Sequence, residues 1–358
     1  MKQLFARSRP AQFQGLQFVR ANAVLLVVLC HAFAVLGLPA YFDRTVLGGF
    51  FNKGAVGVDI FFVLSGFIIV HVALRPTTLE AKTGLRNFLL KRGIRIVPFL
   101  WAAVIAYAIV RYLGSREFDW GPYLNSMFLV PIGELRPNVV WSLRHEALFY
   151  IVFAISFLLR KRMPYVLYAW CAAPIIVWTL AGLSEWGMPS SELLEFVFNR
   201  ANALFGCGVL IGIFCKRYAL FSAPRSGRPV VAWVALGVVT LAAFLVRDFL
   251  DTAAVAVGAS LVVVVGLLTP NAETKLARFW EMLGNASYSI YLTHNMFLLA
   301  GATVWVKFFG RSGMEIAAAI LGILAIAGGV LVHFVVERPL IDVTNRVVSR
   351  KKEPSVVA

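Results

Sequence analysis

One histidine, His31, interrupts the apolar run VLLVVLCHAF at residues 24–33. An imidazole in such a run costs free energy unless it has a partner or a job. Paired with a carboxylate, it is a general base. The acid holds one ring nitrogen as N–H, and the other nitrogen takes a proton from a hydroxyl. Two acids stand in apolar surroundings of their own, Asp59 in GAVGVDIFFVLSGFII and Glu146 in WSLRHEALFY. Either could orient His31, although an Asp near a span end can also reach the interface. Ser65 offers a hydroxyl nucleophile; the plainer reading has it bond the carbonyl a turn earlier while Gly66 admits a neighbouring helix. His294, in SYSIYLTHN, is an active imidazole or a packing partner. His71 and His333 fit interfacial positions near span ends. Cys30 neighbours His31 in sequence, but adjacent helical side chains diverge by about 100°, so the two form no dyad.

A second constellation is cationic. Arg92 and Arg95, with Lys91, lie in LRNFLLKRGIRIVPF. An i, i+3 spacing puts the two guanidiniums on one helical face. Paired guanidiniums are planar forks of fixed charge that suit a phosphate, and suit anionic lipid headgroups equally well. Trp120, Tyr123 and Trp141 could stack on sugar rings or belong to an interfacial aromatic belt.

The elements that must hold these residues are membrane helices. The chain has 358 residues, 60% of them hydrophobic and 15% charged, with a mean hydropathy of +0.79. Apolar segments long enough to cross a hydrocarbon core recur along it. Ten spans are expected, near 18–37, 54–74, 96–113, 146–159, 165–182, 196–215, 229–246, 252–269, 286–305 and 314–336. The expected fold is an all-α polytopic bundle forming one domain over residues 1–358, with both termini cytoplasmic and 337–358 a cytoplasmic tail. No cleavable signal peptide is expected.

The net charge of +16 suggests nucleic acid until the charges are placed. Of the 34 basic residues, 24 fall on one side of the ten-span topology, in clusters such as Lys2, Arg7 and Arg9, then Arg160 to Arg162, then Arg225 and Arg228, then Lys351 and Lys352. The positive-inside rule makes that side cytoplasmic, and no nucleic-acid partner is expected. Residues 75–95 fit a short amphipathic helix on the membrane surface, with Pro98 in the first turn of the next span. The loop at 114–145 is too short to cross and is expected to be re-entrant or superficial. Cys30, Cys171, Cys207 and Cys215 show no metal or disulfide spacing and read as packing residues. In this topology His31 lies about 20 Å past Phe18, beyond the midplane, and His294 about 12 Å into its span. His31, Asp59 and Glu146 are thus expected to converge in the outer half of the bundle.

Five motifs together resemble the acyltransferase 3 family of multi-pass membrane enzymes that O-acetylate surface glycans. They are LQFVRANAVLLVVLCHAF, GAVGVDIFFVLSGFII, KRGIRIVPFLW, VVWSLRHEALFYIVF and LGNASYSIYLTHNMF, in the family's order. The resemblance implies a catalytic base at His31, the first-helix arginine at Arg20, an acyl-CoA phosphate pair at Arg92 and Arg95, and the Trp-Ser-Leu carboxylate at Glu146. Arg20-Ala-Asn and Arg144-His145 depart from the usual pattern and bear on the acceptor subtype. The resemblance also implies the stand-alone branch that acts on exopolysaccharides, in the bacterial cytoplasmic membrane.

The expected site therefore has His31, Asp59 and Glu146 as catalytic residues. Arg20, Arg92, Arg95, Ser65 and His294 lie around acetyl-CoA, and no metal is used. The acceptor is a glycan or lipid-linked saccharide, and a cavity is expected to join His31 to the guanidiniums. A transporter of a glycan or lipid precursor is the competing class. A further competitor is the other major family of membrane-bound O-acyltransferases, with His294 and Asn295 as its active pair. Missing inverted repeats weaken the transporter.

Overall fold

A computed structural model describes residues 13–115, 119–183, 191–220, 229–247 and 252–350. Lys2, Arg7, Arg9, Arg225, Arg228, Lys351 and Lys352 lie outside them, as does the tail beyond residue 350. Apolar sequence in lipid must satisfy its own backbone hydrogen bonds, and helices do so within one segment. The described residues accordingly contain no strand. The helices are α1 (Gln14–Leu36), α2 (Val56–Ala73), α3 (Leu85–Ser115), α4 (Trp120–Phe128), α5 (Trp141–Ser156), α6 (Met163–Leu183) and α7 (Glu192–Val197). They continue with α8 (Arg200–Arg217), α9 (Pro229–Val246), α10 (Thr252–Leu268), α11 (Lys275–Phe309), α12 (Met314–Val332) and α13 (Arg338–Arg350).

Seven helical stretches are long and apolar enough to cross a membrane: Gln14–Leu36, Leu47–Ala73, Leu85–Gly114, Asn138–Leu159, Met163–Ala181, Glu192–Arg217 and Met314–Val348. Pro229–Leu245 and Ala253–Leu268 are shorter apolar helices. Nine of the ten segments read as spans lie on helical stretches, whereas 196–215 begins in α7 and continues into α8 across Phe198 and Asn199.

Lipid tails are as apolar as leucine, so helices associate through close packing rather than exclusion from water. Glycine provides the approach at several seams, two of which bear on the site. A methyl on Gly208 of α8 would lie 1.9 Å from the Val63 carbonyl oxygen of α2, and one on Gly66 would lie 2.2 Å from the Phe205 oxygen. The second seam joins α1 and α11. There a methyl on Gly284 would lie 2.2 Å from the Gln17 oxygen. One turn further along both helices, Arg20 bonds Ser287. Gln14 bonds Glu281 at the start of the same seam, and His31 meets His294 further on. The pairing ascends on both chains, so α1 and α11 run in the same direction.

One expectation about local structure is corrected. Residues 85–95 and the following span are one helix, α3, with Pro98 in its interior. At 1.5 Å per residue its 31 residues extend about 46 Å, well beyond a hydrocarbon core of about 30 Å, so the amphipathic start need not be a separate element. Proline is tolerated inside membrane helices because neighbours re-satisfy the freed carbonyl. The beginning of the expected tail is also helical. A π-helical turn, His333–Glu337, links α12 to α13, which packs against α3. In the 114–145 loop, α4 has nine residues, too few to cross. Trp101 of α3 donates its indole N–H to Met127 O at 2.9 Å and anchors it.

Candidate active site

Five helices build one cleft. Its walls carry Arg20 from α1, Ser65 from α2, Arg92 and Arg95 from α3, Glu146 and Tyr150 from α5, and Ser287, Tyr288 and Tyr291 from α11. The i, i+3 spacing on α3 puts Arg92 and Arg95 on its cleft face, as the sequence indicated. Arg92 stacks over the rings of Phe88 and Tyr150, 5.6 and 5.5 Å from their centroids. Arg20 donates Nε–H to Ser287 Oγ at 3.1 Å, which fixes its plane. Neither Arg20, Arg92 nor Arg95 forms an ion pair among the described residues. Three guanidiniums facing one cleft, with Glu146 as the carboxylate in its lining, suit a polyanion. Among the described residues no three His, Cys, Asp or Glu side chains gather as a metal-ligand set.

Glu146 is held through its Oε1. Ser65 donates its hydroxyl to that oxygen at 3.4 Å, and Tyr150 donates to it from one helical turn further on. Ser65 thus faces the carboxylate rather than a carbonyl of its own helix. Sequence reasoning passed over Tyr150, although its i+4 spacing from Glu146 puts both on one face of α5. It passed over the α11 hydroxyls too, which lie inside the quoted LGNASYSIYL motif. Tyr288 donates to Ile96 O at 3.0 Å and ties α11 to α3. Tyr291 donates to Val139 O at 3.0 Å and lies 2.7 Å from Ser142 Oγ.

His31 is not in this lining, nor is His294. Tyr291, one of the cleft's lining residues, has its ring centroid 6.0 Å from that of His294. The continuous cavity expected from the guanidiniums to His31 is therefore not found, because the cleft that the guanidiniums line does not include His31. His31 faces α11 and has no carboxylate hydrogen-bonded to it among the described residues. Its Nδ1 lies 3.0 Å from Val27 O and 3.1 Å from Nε2 of His294. His294 is fully buried, with Nδ1 3.1 Å from Ile290 O. Beside it, Asn295 Oδ1 is buried and has no partner among the described residues.

Asp59 sits elsewhere. Arg247, at the end of α9, donates Nε–H to its Oδ2 at 3.3 Å. Arg247 is some 190 residues away in sequence, and no local pattern signals the pair. The structure thus brings Arg20, Arg92, Arg95, Ser65 and Glu146 together and pairs His31 with His294, while Asp59 stands apart. Two further histidines are buried in polar contacts. His145 is buried with Nδ1 3.1 Å from Asn202 Oδ1. His333 is buried with Nδ1 2.6 Å from Glu337 Oε2, which also accepts the Ser289 hydroxyl at 2.5 Å. A π-helical turn carries both His333 and Glu337, and such turns recur at functional sites.

The family profile described as an acyltransferase domain, acyltransferase 3, matches residues 13–337, and the chain belongs to that family. It is 29% identical over 313 residues to the exopolysaccharide production protein ExoZ of Rhizobium meliloti, covering 82% of this chain and 92% of that protein. It is 27% identical to the acyltransferase MdmB of Streptomyces mycarofaciens over 375 residues, 94% of each chain. The O-acetyltransferase OatA of Staphylococcus aureus is 27% identical over 190 residues, which cover 46% of this chain and 28% of that protein. No solved structure matches the chain.

Proposed function

We propose that this chain is a multi-pass enzyme of the bacterial cytoplasmic membrane, formed as one transmembrane domain. It moves an acyl group, acetyl in the first instance, from cytoplasmic acyl-CoA to a hydroxyl of an envelope or exported glycan. One observation carries this reading: in a chain of the acyltransferase 3 family, Arg20, Arg92 and Arg95 face one cleft without ion-pair partners among the described residues. The phosphates of CoA are a fitting polyanion, and their seat lies on the side the basic loops mark as cytoplasmic. The relatives' names, exopolysaccharide production protein and O-acetyltransferase, support a glycan acceptor and an acetyl group. Family membership favours a transferase over the transporter considered from the sequence.

In this mechanism the pantetheine arm passes Tyr291 to bring the thioester to His31. A ring nitrogen of His31 takes the proton of the acceptor hydroxyl as its oxygen attacks the thioester carbonyl. The new C–O bond forms, the C–S bond breaks, and His31 returns the proton to the CoA thiolate. General-base catalysis contributes about 10²- to 10⁴-fold, so His31→Ala should lose transfer by that order with normal protein in the membrane. Mass spectrometry of the glycans from cells with and without the protein reads acyl identity and acceptor together. Undiminished acylation in His31→Ala cells would remove His31 from the chemistry. Arg92→Ala with Arg95→Ala should weaken acetyl-CoA binding at least tenfold by calorimetry on purified protein; unchanged binding would unseat the cofactor from this cleft.

A further inference from the structure

We propose that His294 is a positioning residue. It fixes His31 as the tautomer protonated on Nδ1, leaving Nε2 of His31 to accept the substrate proton. The inference rests on the reading of His31 as the base. It follows from three contacts that only one distribution of protons satisfies.

His294 Nδ1 lies 3.1 Å from a carbonyl oxygen, Ile290 O, and must carry hydrogen to bond it. A neutral ring then has a lone pair on Nε2. That lone pair faces His31 Nδ1 at 3.1 Å, so His31 Nδ1 must be the donor. The third contact agrees independently, because His31 Nδ1 also lies 3.0 Å from Val27 O, which only accepts. The N–H is shared between the two acceptors. The reverse arrangement, with His294 donating, would leave two ring lone pairs against carbonyl oxygens. It would also lose both hydrogen bonds to those oxygens.

The same geometry separates the two rings by role. Both nitrogens of His294 are engaged, and the residue is 0% exposed. Nε2 of His31 makes no hydrogen bond among the described residues, and His31 is only half-buried. His31 is therefore the ring able to reach a substrate. Once it is protonated, its Nδ1–H bond to His294 becomes charge-assisted, the service a carboxylate gives in the more familiar pairing. The turn that supplies Ile290 O is held in place. A methyl on Gly329 of α12 would lie 2.6 Å from Ile290 Cα, so the two helices are in direct backbone contact there.

The test uses full-length protein with 15N-labelled imidazoles in lipid nanodiscs. The His31 resonances are assigned by their loss in His31→Ala, and the two ring nitrogens are read for protonation. Wild type should show Nδ1 protonated and Nε2 bare. His294→Ala should give a mixture of tautomers and an acyl-transfer rate about 10- to 100-fold lower at unchanged KM for acetyl-CoA. His294→Gln, whose amide oxygen can accept from Nδ1–H, should restore the single tautomer and part of the rate. Wild-type His31 protonated on Nε2, or a tautomer indifferent to His294→Ala, would overturn the proposal. If His294→Ala does not reach the membrane, wild type and His294→Gln decide by the same readout. Acyl transfer surviving in His31→Ala would instead defeat the reading of His31 as base, with the tautomer still measurable.

Discussion

Asp59 and Glu146 show how the same carboxylate takes different work from its neighbours. Glu146 accepts two hydroxyls on the cleft wall, whereas Asp59 is paired with Arg247. The Asp59 side chain is 16% exposed and that of Arg247 31%, so the pair is only partly screened. A double-mutant cycle on Asp59→Ala and Arg247→Ala, read by thermal unfolding in detergent, should give a coupling of about 0.5–3 kcal/mol. Additive effects would show that the contact stabilises nothing. Arg20 offers a second test at this scale. Its Nε is committed to Ser287, so its terminal nitrogens are left for the cleft. Arg20→Lys keeps the charge but loses both the Ser287 contact and the planar fork, and acetyl-CoA should bind about tenfold more weakly.

Helix seams decide whether these side chains meet at all. The α2–α8 seam depends on two glycines, and Gly208 has the closest approach, 1.9 Å from a methyl to Val63 O. Gly208→Ala must push the helices apart and should cost about 1–3 kcal/mol, measured as a lower melting temperature. Gly237 of α9 is the control. Nothing lies within 4 Å of a methyl there, so Gly237→Ala should be neutral or stabilising by up to about 1 kcal/mol. Equal changes in both variants would mean that the close contact at Gly208 does not govern the seam. α3 and α11 couple the two ends of the site. The former brings guanidiniums to the cleft, while the latter carries Ser287, Tyr291 and His294 along one helix.

For the whole molecule, topology is the open physical variable. α1 and α11 run in the same direction, as the ten-span reading requires of its first and ninth spans. Single cysteines introduced into a cysteine-free background test it. Glu80→Cys should be shielded from an impermeant maleimide added to intact spheroplasts, and Arg311→Cys should react. Both are exposed in the fold, so accessibility reports the side of the membrane rather than burial. Reaction at both positions would discard the ten-span arrangement.

The sequence by itself determined that helices fill this chain, because long apolar segments in lipid have no other way to satisfy their backbone. Spacing also determined that Arg92 and Arg95 share a face, since three residues make nearly one helical turn. Only the tertiary structure decided the partners. His31 met His294 instead of an acid, Asp59 met Arg247, and the cleft took in Tyr291 but neither histidine. Helical periodicity fixes which way a side chain points along its own axis. It does not say which helix stands opposite, because that depends on where glycines let two backbones touch, and at the two seams described those matches lie 139 to 267 residues apart.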